Sequence, residues 1–353
     1  MKKKLFATIA LTLSTLTLAA CSPSNQTLTF SPNWEKTIIS EASDATEEEL
    51  TYLVEHDDTS YSFLHNDYFT VKYCYADGAK KAGVYTTKLE YLKNNTYRYT
   101  TTLEVDVTFT LANGESVTKT DTVETEAKFK KADKSLQPLY SRKTVHAHAP
   151  RDLDVTVLED EYDAEGQITK AGAYIEYDYE FAITYNEDLS GGTLVKTDNS
   201  ERGTLSLQDN RQEINFSIED DKYTYLDNEQ YLFALRGISS EQLASSSKTV
   251  SMYNASLMAM EAVTTTPTTA EKTSFELQLN GGEKTSYEIE YVPLTIKSNN
   301  KNAVVSQTLW YAKTTDSNNN QFRNVLLKMS VPMHFGLGSL EYTLQSATFS
   351  VEG

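Results

Sequence analysis

His146 and His148 are separated by one residue, so on a strand both imidazoles would project from one face, as a zinc or copper pair requires. Two ligands do not complete a metal shell. The rest would have to come from His56, His65, His334 or carboxylates, and no spacing brings these together. The expectation is a polar pair on an exposed edge strand ahead of Pro150, with no metal and no cofactor. A second group is the acidic run Glu159, Asp160, Glu161, Asp163 and Glu165 before Gly166. It lacks the alternating spacing of a calcium loop and reads as a solvated hairpin tip. Cys74 sits in Tyr73-Cys74-Tyr75 with no histidine or other base at a supporting spacing, which reads as a half-buried thiol and not a nucleophile. No Gly-x-Ser-x-Gly elbow, His-Glu-x-x-His helix or phosphate-binding glycine loop occurs. With 50 acidic residues, carboxylate pairs at glycosidase distances arise by chance and carry no weight. The sequence is therefore expected not to encode an enzyme, and its 23 tyrosines are assigned first to sheet faces.

Cys21 has a more informative setting. Lys2, Lys3 and Lys4 precede an apolar run from Leu5 to about Leu18, and Ala19 and Ala20 lead into the cysteine. That order is an export signal too short for a comfortable transmembrane span. Small side chains fit a peptidase subsite, and the thiol is the nucleophile that takes a lipid; Leu18-Ala19-Ala20-Cys21 resembles the lipobox of bacterial lipoproteins. Two acyl chains, at about 0.8 kcal/mol per buried methylene, anchor far more firmly than one. The expectation is a lipid on Cys21, a membrane tether through it, and a body in extracytoplasmic space.

Cleavage ahead of Cys21 would remove three lysines and no acids, taking the formal net charge from −18 to −21. A surface this acidic repels phosphates, and no basic patch interleaved with aromatics is present, so nucleic acid is excluded as a partner. Calcium or cationic ligands are compatible with the charge. With Cys21 lipidated, Cys74 is alone and no intrachain disulfide forms.

These groups need elements to hold them. Residues 21–33 are polar with two prolines and read as a flexible spacer behind the 1–20 signal. In the 34–66 segment, Thr46 and Glu49 form a capping box before Leu50, Leu53 and Val54, predicting a short acidic helix over 47–55. From 67 to 353 no linker is long enough to demand a second domain. Leu103, Val105, Val107, Phe109 and Leu111 alternate with Glu104, Asp106, Thr108 and Thr110, one face buried and one wet. After Leu111, a three-residue loop with left-handed Gly114 keeps the faces matched, pairing Phe109 with Val117 and Leu103 with Val123. Ala173, Ile175, Tyr177, Tyr179, Phe181, Ile183 and Tyr185 form a second series, long enough to favour a curved sheet over a sandwich of short strands. Later strands are expected over 204–207, 213–218, 250–262, 275–279, 287–296, 304–312, 324–329 and 340–351. Thr264 to Lys272 reads as a polar loop, and Asn280-Gly281-Gly282 as a hairpin turn. Residues 153–218 have no assigned place in this scheme.

One helix is written at both ends. Asp227 as N-cap with Gln230 at N3 makes a capping box, Leu226 staples to Tyr231, and Gly237 at C′ lets Ile238 meet Phe233. About three turns long, it must lay Tyr231, Leu232 and Leu235 on a sheet.

A bend at Gly83, the long Tyr97 to Leu111 strand, Gln137-Pro138-Leu139, the Tyr225 to Gly237 segment and Trp310 before a terminal hairpin resemble a bacterial envelope family of unknown function, similar in fold to the LolA and LolB lipoprotein carriers. The resemblance covers about Asp67 to the C-terminus. It implies a mainly β fold, an open curved antiparallel sheet or half barrel with one or two short helices on its concave face and an apolar cavity between. Leu232, Phe233 and Leu235 would then close the mouth over a lipid or acyl chain. The alternative is an envelope structural or interaction module with a filled core that recruits another envelope protein through a strand edge.

Overall fold

The computed structural model describes residues 28–30, 47–61, 72–75, 81–151, 155–200, 205, 207–219, 222–299, 307–313, 324–332 and 337–350. Residues 1–20, expected to be a signal, and Cys21, His65 and His334 lie outside them.

Alternating β-branched and aromatic residues make nearly everything strand. The chain runs β1 (Glu47–Tyr61), β2 (Lys72–Tyr75), β3 (Lys81–Tyr91), β4 (Thr96–Thr110), β5 (Ser116–Ala132), β6 (Ser135–Pro150), a small hairpin of β7 (Glu161–Tyr162) and β8 (Ile168–Lys170), then β9 (Tyr174–Tyr185), β10 (Gly191–Asp198) and β11 (Arg211–Ser217). β12 (Thr224–Tyr225) leads to helices α1 (Tyr231–Ala234) and α2 (Ser240–Ser245). The rest is β13 (Lys248–Asn254), β14 (Ala259–Pro267), β15 (Glu271–Leu279), β16 (Lys284–Ser298), β17 (Gln307–Ala312), β18 (Leu326–Pro332) and β19 (Leu337–Ser350).

The β4–β5 register is the expected one. Phe109 faces Val117 and Leu103 faces Val123. Gly114 takes φ +90°, and its N–H donates to the Leu111 carbonyl at 2.9 Å. At the β15–β16 turn Asn280 and Gly281 both have positive φ and the Gly282 N–H donates to the Leu279 carbonyl at 2.9 Å, while the ladder resumes at Gln278 and Lys284, one residue out of step with a two-residue hairpin.

The ladders join one continuous antiparallel sheet in the order β13, β14, β16, β17, β18, β19, β1, β3, β4, β5, β6, β9, β10, β11. β15 continues the lane of β14 along β16, and β2 continues that of β3 along β4. The fold is mainly β, with two short helices, as the sequence predicts. It is not open throughout: Gln278 and Leu279 of β15 pair in parallel with Ser346 and Ala347 of β19, so β15 to β19 close a five-stranded ring.

Residues 226–243 form a plug on the inner face. Their side chains or carbonyls touch β14 (Thr265), β17 (Tyr311), β1 (Glu48), β4 (Tyr99), β5 (Phe129), β6 (Ser141) and β9 (Tyr185). A segment this short reaches strands so far apart in the sheet only if the sheet wraps around it. The two ends of the sheet then meet through rings: Phe216 of β11 stacks on Tyr253 of β13 at 3.9 Å, nearly parallel. Gly192 makes room for that ring, since a Cβ there would lie 3.0 Å from Phe216 Cζ.

Five expectations are corrected. The 47–55 helix is instead strand β1, sitting between β19 and β3 with Leu50, Tyr52 and Val54 in the core. The capping-box pattern was local, whereas two flanking ladders favour the period-2 reading of the same residues. Within the spacer, Leu28 and Phe30 are buried, and the Phe30 N–H donates to the Lys134 carbonyl at 2.9 Å. The helix after Tyr225 is one turn, followed by a 3-10 turn over Leu235–Gly237, and Gly237 is not left-handed. The 250–262 strand is two, β13 and β14, and Thr264 and Lys272 lie in strands. Residues 153–218 find their place as the β7–β8 hairpin and the extension β9 to β11.

Candidate functional site

The inner face carries two apolar clusters that meet at the start of the plug. In the first, Phe233, Ala234 and Leu235 are sealed among Tyr52, Tyr99, Phe129 and Tyr311. Phe233 packs its ring 5.2 Å from Tyr99 and 5.3 Å from Phe129. Leu232 is half-buried against the same cluster, and its carbonyl accepts from the Tyr311 hydroxyl at 2.7 Å. Arg236 is buried and forms a two-pronged ion pair with Glu48, the Nη2 contact being 3.0 Å. Burial acts against the guanidinium charge, and the Glu48 carboxylate more than offsets it, so the pKa of Arg236 is raised. Asn324 donates to the carbonyls of Arg236 and Ile238, taking up acceptors at the end of the turn.

Asp227, expected as a helix N-cap, does other work. Its Oδ2 accepts from the Ser141 hydroxyl of β6 at 2.6 Å and from the Tyr185 hydroxyl of β9, while Oδ1 accepts from the Glu229 N–H at 2.8 Å. Tyr225 completes the group, its hydroxyl 3.0 Å from that of Tyr185. Burial pushes the Asp227 carboxyl up to about 6, against the pull of Ser141 and Tyr185. Ser141 is as enclosed as Asp227, so this is a clasp holding the plug to the sheet and not an accessible nucleophile with its base. Glu229 is half-buried.

The second cluster lies on β6, β9, β10, β11 and β13. Register places Ser141, Ile183, Leu194 and Ile214 in one row, and Lys143, Phe181, Lys196 and Gln212 in the next. Tyr177, Tyr179, Phe181 and Leu194 are buried, but Ile175, Ile214, Phe216, Tyr225 and Met260 are only partly covered. Two lysines therefore project into an apolar face. Lys196 is 6% exposed and holds its ammonium 4.9 Å above the Phe181 ring. Burial lowers its pKa, and no carboxylate compensates. Lys143 is half-buried; burial pulls it down, but the charge of Glu229 and the Tyr179 hydroxyl raise it on balance. Neither lysine forms a hydrogen bond or an ion pair among the described residues. Asp198, two residues from Lys196, is committed elsewhere: it accepts from the Ser200 and Leu205 N–H groups.

The sequence-derived candidates are dispersed. His146 and His148 do share a face, with ring centroids 5.1 Å apart, but His148 is buried with Nδ1 2.8 Å from Asp121 Oδ1. His146 Nδ1 stands 3.9 Å from Glu176 and 3.8 Å from Asp178. The pair lies in β6, between β5 and β9, and so not on an edge strand as expected. Among the described residues no group of three or more potential ligands is arranged to hold a metal ion. The acidic run is divided: Asp163 shapes the exposed β7–β8 tip, as expected of a hairpin, while Asp160 chelates Arg151 at 3.0 Å and Glu159 binds Lys119. Cys74 lies in β2. Lys143 and Lys196 were missed, although both occupy apolar-phase positions of alternating strands, Ser141-Lys143-Val145 and Leu194-Lys196-Asp198. None of the described helices is long and apolar enough to cross a membrane.

Comparison with known proteins adds the following. No family model matches the chain, and no curated protein matches its sequence. The structure is similar to the crystal structure of a β-barrel-like protein of domain of unknown function DUF1849 from Brucella abortus, at 7% identity, over 87% of this chain and 98% of that one, with a TM-score of 0.43.

Proposed function

We propose that the protein is a noncatalytic extracytoplasmic lipoprotein, tethered to a membrane through Cys21, that binds a lipid or other apolar chain against the inner face of its curved sheet. One observation carries this reading: on the same face as the sealed plug cluster, Ile175, Ile214, Phe216, Tyr225 and Met260 stay only partly covered. Apolar side chains turned inward by a wrapped sheet and left incompletely packed suit an apolar guest. The resemblance to LolA and LolB, whose half barrels hold acyl chains, points the same way. It differs from the sequence-based expectation in where the guest lies, because Phe233 and Leu235 are occupied as core and the β9–β11 wall takes the lining role.

A second reading has its own observation. β11 pairs only with β10 among the described residues, leaving one edge of the sheet available for strand addition by an envelope protein. Native mass spectrometry of protein extracted gently from its source separates the two. A copurified lipid supports the binding protein; a stoichiometric polypeptide with no lipid supports the interaction module. The tether is tested by Cys21→Ser, which should release the protein from the membrane fraction; continued processing and detergent partitioning would refute lipidation.

A further inference from the structure

Lys143 and Lys196 are the two side chains that fit an apolar wall least. They face the same side because both lie opposite Phe181, one from β6 and one from β10. Their Cα atoms are thus two strand spacings apart, about 10 Å, within reach of one small group for side chains of this length. Lys196 is more than nine-tenths buried without a hydrogen-bond acceptor or carboxylate, its one recorded partner being the Phe181 ring. Other buried cations of the protein are provided for. Arg236 has Glu48, and Lys248 has the Ser246 carbonyl at 3.0 Å and Ser246 Oγ at 2.7 Å. In a chain with 50 acidic and 32 basic residues, leaving Lys196 without a carboxylate is not for want of acids, and Lys143 has only the Glu229 charge nearby, with no ion pair to it among the described residues.

Burying an ammonium without an acceptor costs several kcal/mol in general, which an incoming anion recovers by charge-assisted hydrogen bonds. We propose that Lys143 and Lys196 form the headgroup site for an anionic amphiphile, a single acyl chain ending in a carboxylate or phosphate, whose chain lies along the partly covered Ile214, Phe216, Tyr225 and Met260. The inference rests on the proposed apolar-ligand reading and adds the polar end. Phe181 between the lysines contributes an apolar floor, so the site accepts one small anionic group flanked by hydrocarbon. The Glu229 charge, which acts on Lys143, disfavours a second negative charge and matches a monoanionic head.

The test uses the full chain carrying Cys21→Ser, titrated by calorimetry with oleate, with oleyl alcohol of the same chain length, and with inorganic phosphate. Oleate should bind about tenfold or more tighter than the alcohol. Lys196→Met and Lys143→Met should each remove most of that preference and leave alcohol binding unchanged, whereas Lys196→Arg, which keeps the charge, should retain it. Equal affinity for oleate and alcohol, insensitive to the lysines, would overturn the headgroup site while leaving the apolar-ligand reading intact. Binding of neither amphiphile would remove both. Lysine-dependent binding of phosphate alone would replace the amphiphile by a free anion and overturn the proposal in that form.

Discussion

Arg236 and Lys196 are both cations withdrawn from water on the inner face of one sheet, and their surroundings are opposite. Arg236 sits among the buried Tyr52, Tyr99 and Phe233, and a carboxylate arrives from β1, 188 residues away, to neutralise it. Lys196 sits where the wall is half covered, over a ring, with no counter-charge. The first arrangement is what a core needs: a buried charge is tolerated only when paired. The second resembles the free state of a binding surface, where the missing partner is supplied from outside. The boundary between them is the Asp227 clasp, which ties the plug to β6 and β9 at the place where sealed packing gives way to partial packing.

Breaking the sealed side should have the largest effect. Glu48→Ala leaves the Arg236 guanidinium buried and unpaired, and the expected loss is about 3–5 kcal/mol in denaturant unfolding. Replacing both partners together, Glu48→Leu with Arg236→Met, should recover most of it, because the pair is then absent rather than broken. Leu235→Ala should cost about 2–5 kcal/mol, and Leu232→Ala less, since Leu232 is only half-buried. Equal losses at the two leucines would contradict the assignment of Leu235 to the core and Leu232 to its margin.

The clasp gives a pH signature. The Asp227 carboxyl is raised from 3.8 to about 6, so the folded state holds its proton more tightly than the unfolded chain. The associated stability is fully present below about pH 4, is lost as pH rises through about 6, and amounts to on the order of 2–3 kcal/mol. Asp227→Asn should flatten the stability profile over that window, as followed by urea midpoints at successive pH values. A profile unchanged by the substitution would show that the carboxyl titrates normally. The smallest effect is expected on the open side: Lys196→Met should leave stability unchanged or raise it by about 1 kcal/mol, because it removes an uncompensated charge. A loss comparable to that of Glu48→Ala would mean that Lys196 has an internal partner and that the two regions are alike.

The parts of this arrangement that follow period 2 were readable from the sequence. The Phe109–Val117 register could be derived because a one-residue slip would have put every apolar residue of β4 on the wet side. Strand β1 was also readable in principle, since Leu50, Tyr52 and Val54 alternate, but Thr46 and Glu49 imitate a helix start and the deciding ladders come from β3 and from β19 at the far end of the chain. Asp227 shows the same limit. Its local pattern is a good N-cap, and it is diverted by Ser141 and Tyr185, 86 and 42 residues distant. The lysines of the second cluster were visible only as polar residues in the apolar phase, a signal that becomes meaningful once register sets them side by side.

The central claim is that one face holds a structural core and a ligand wall. Melting temperature and affinity for a fluorescent acyl probe, measured together for Leu235→Ala and Phe216→Ala, test it most directly. Leu235→Ala is expected to lower the melting temperature and leave the affinity of the folded protein unchanged, while Phe216→Ala weakens the probe with a much smaller thermal effect. If the wild type binds no probe and both substitutions destabilise alike, the second cluster is core as well, and the distinction between the two regions is wrong.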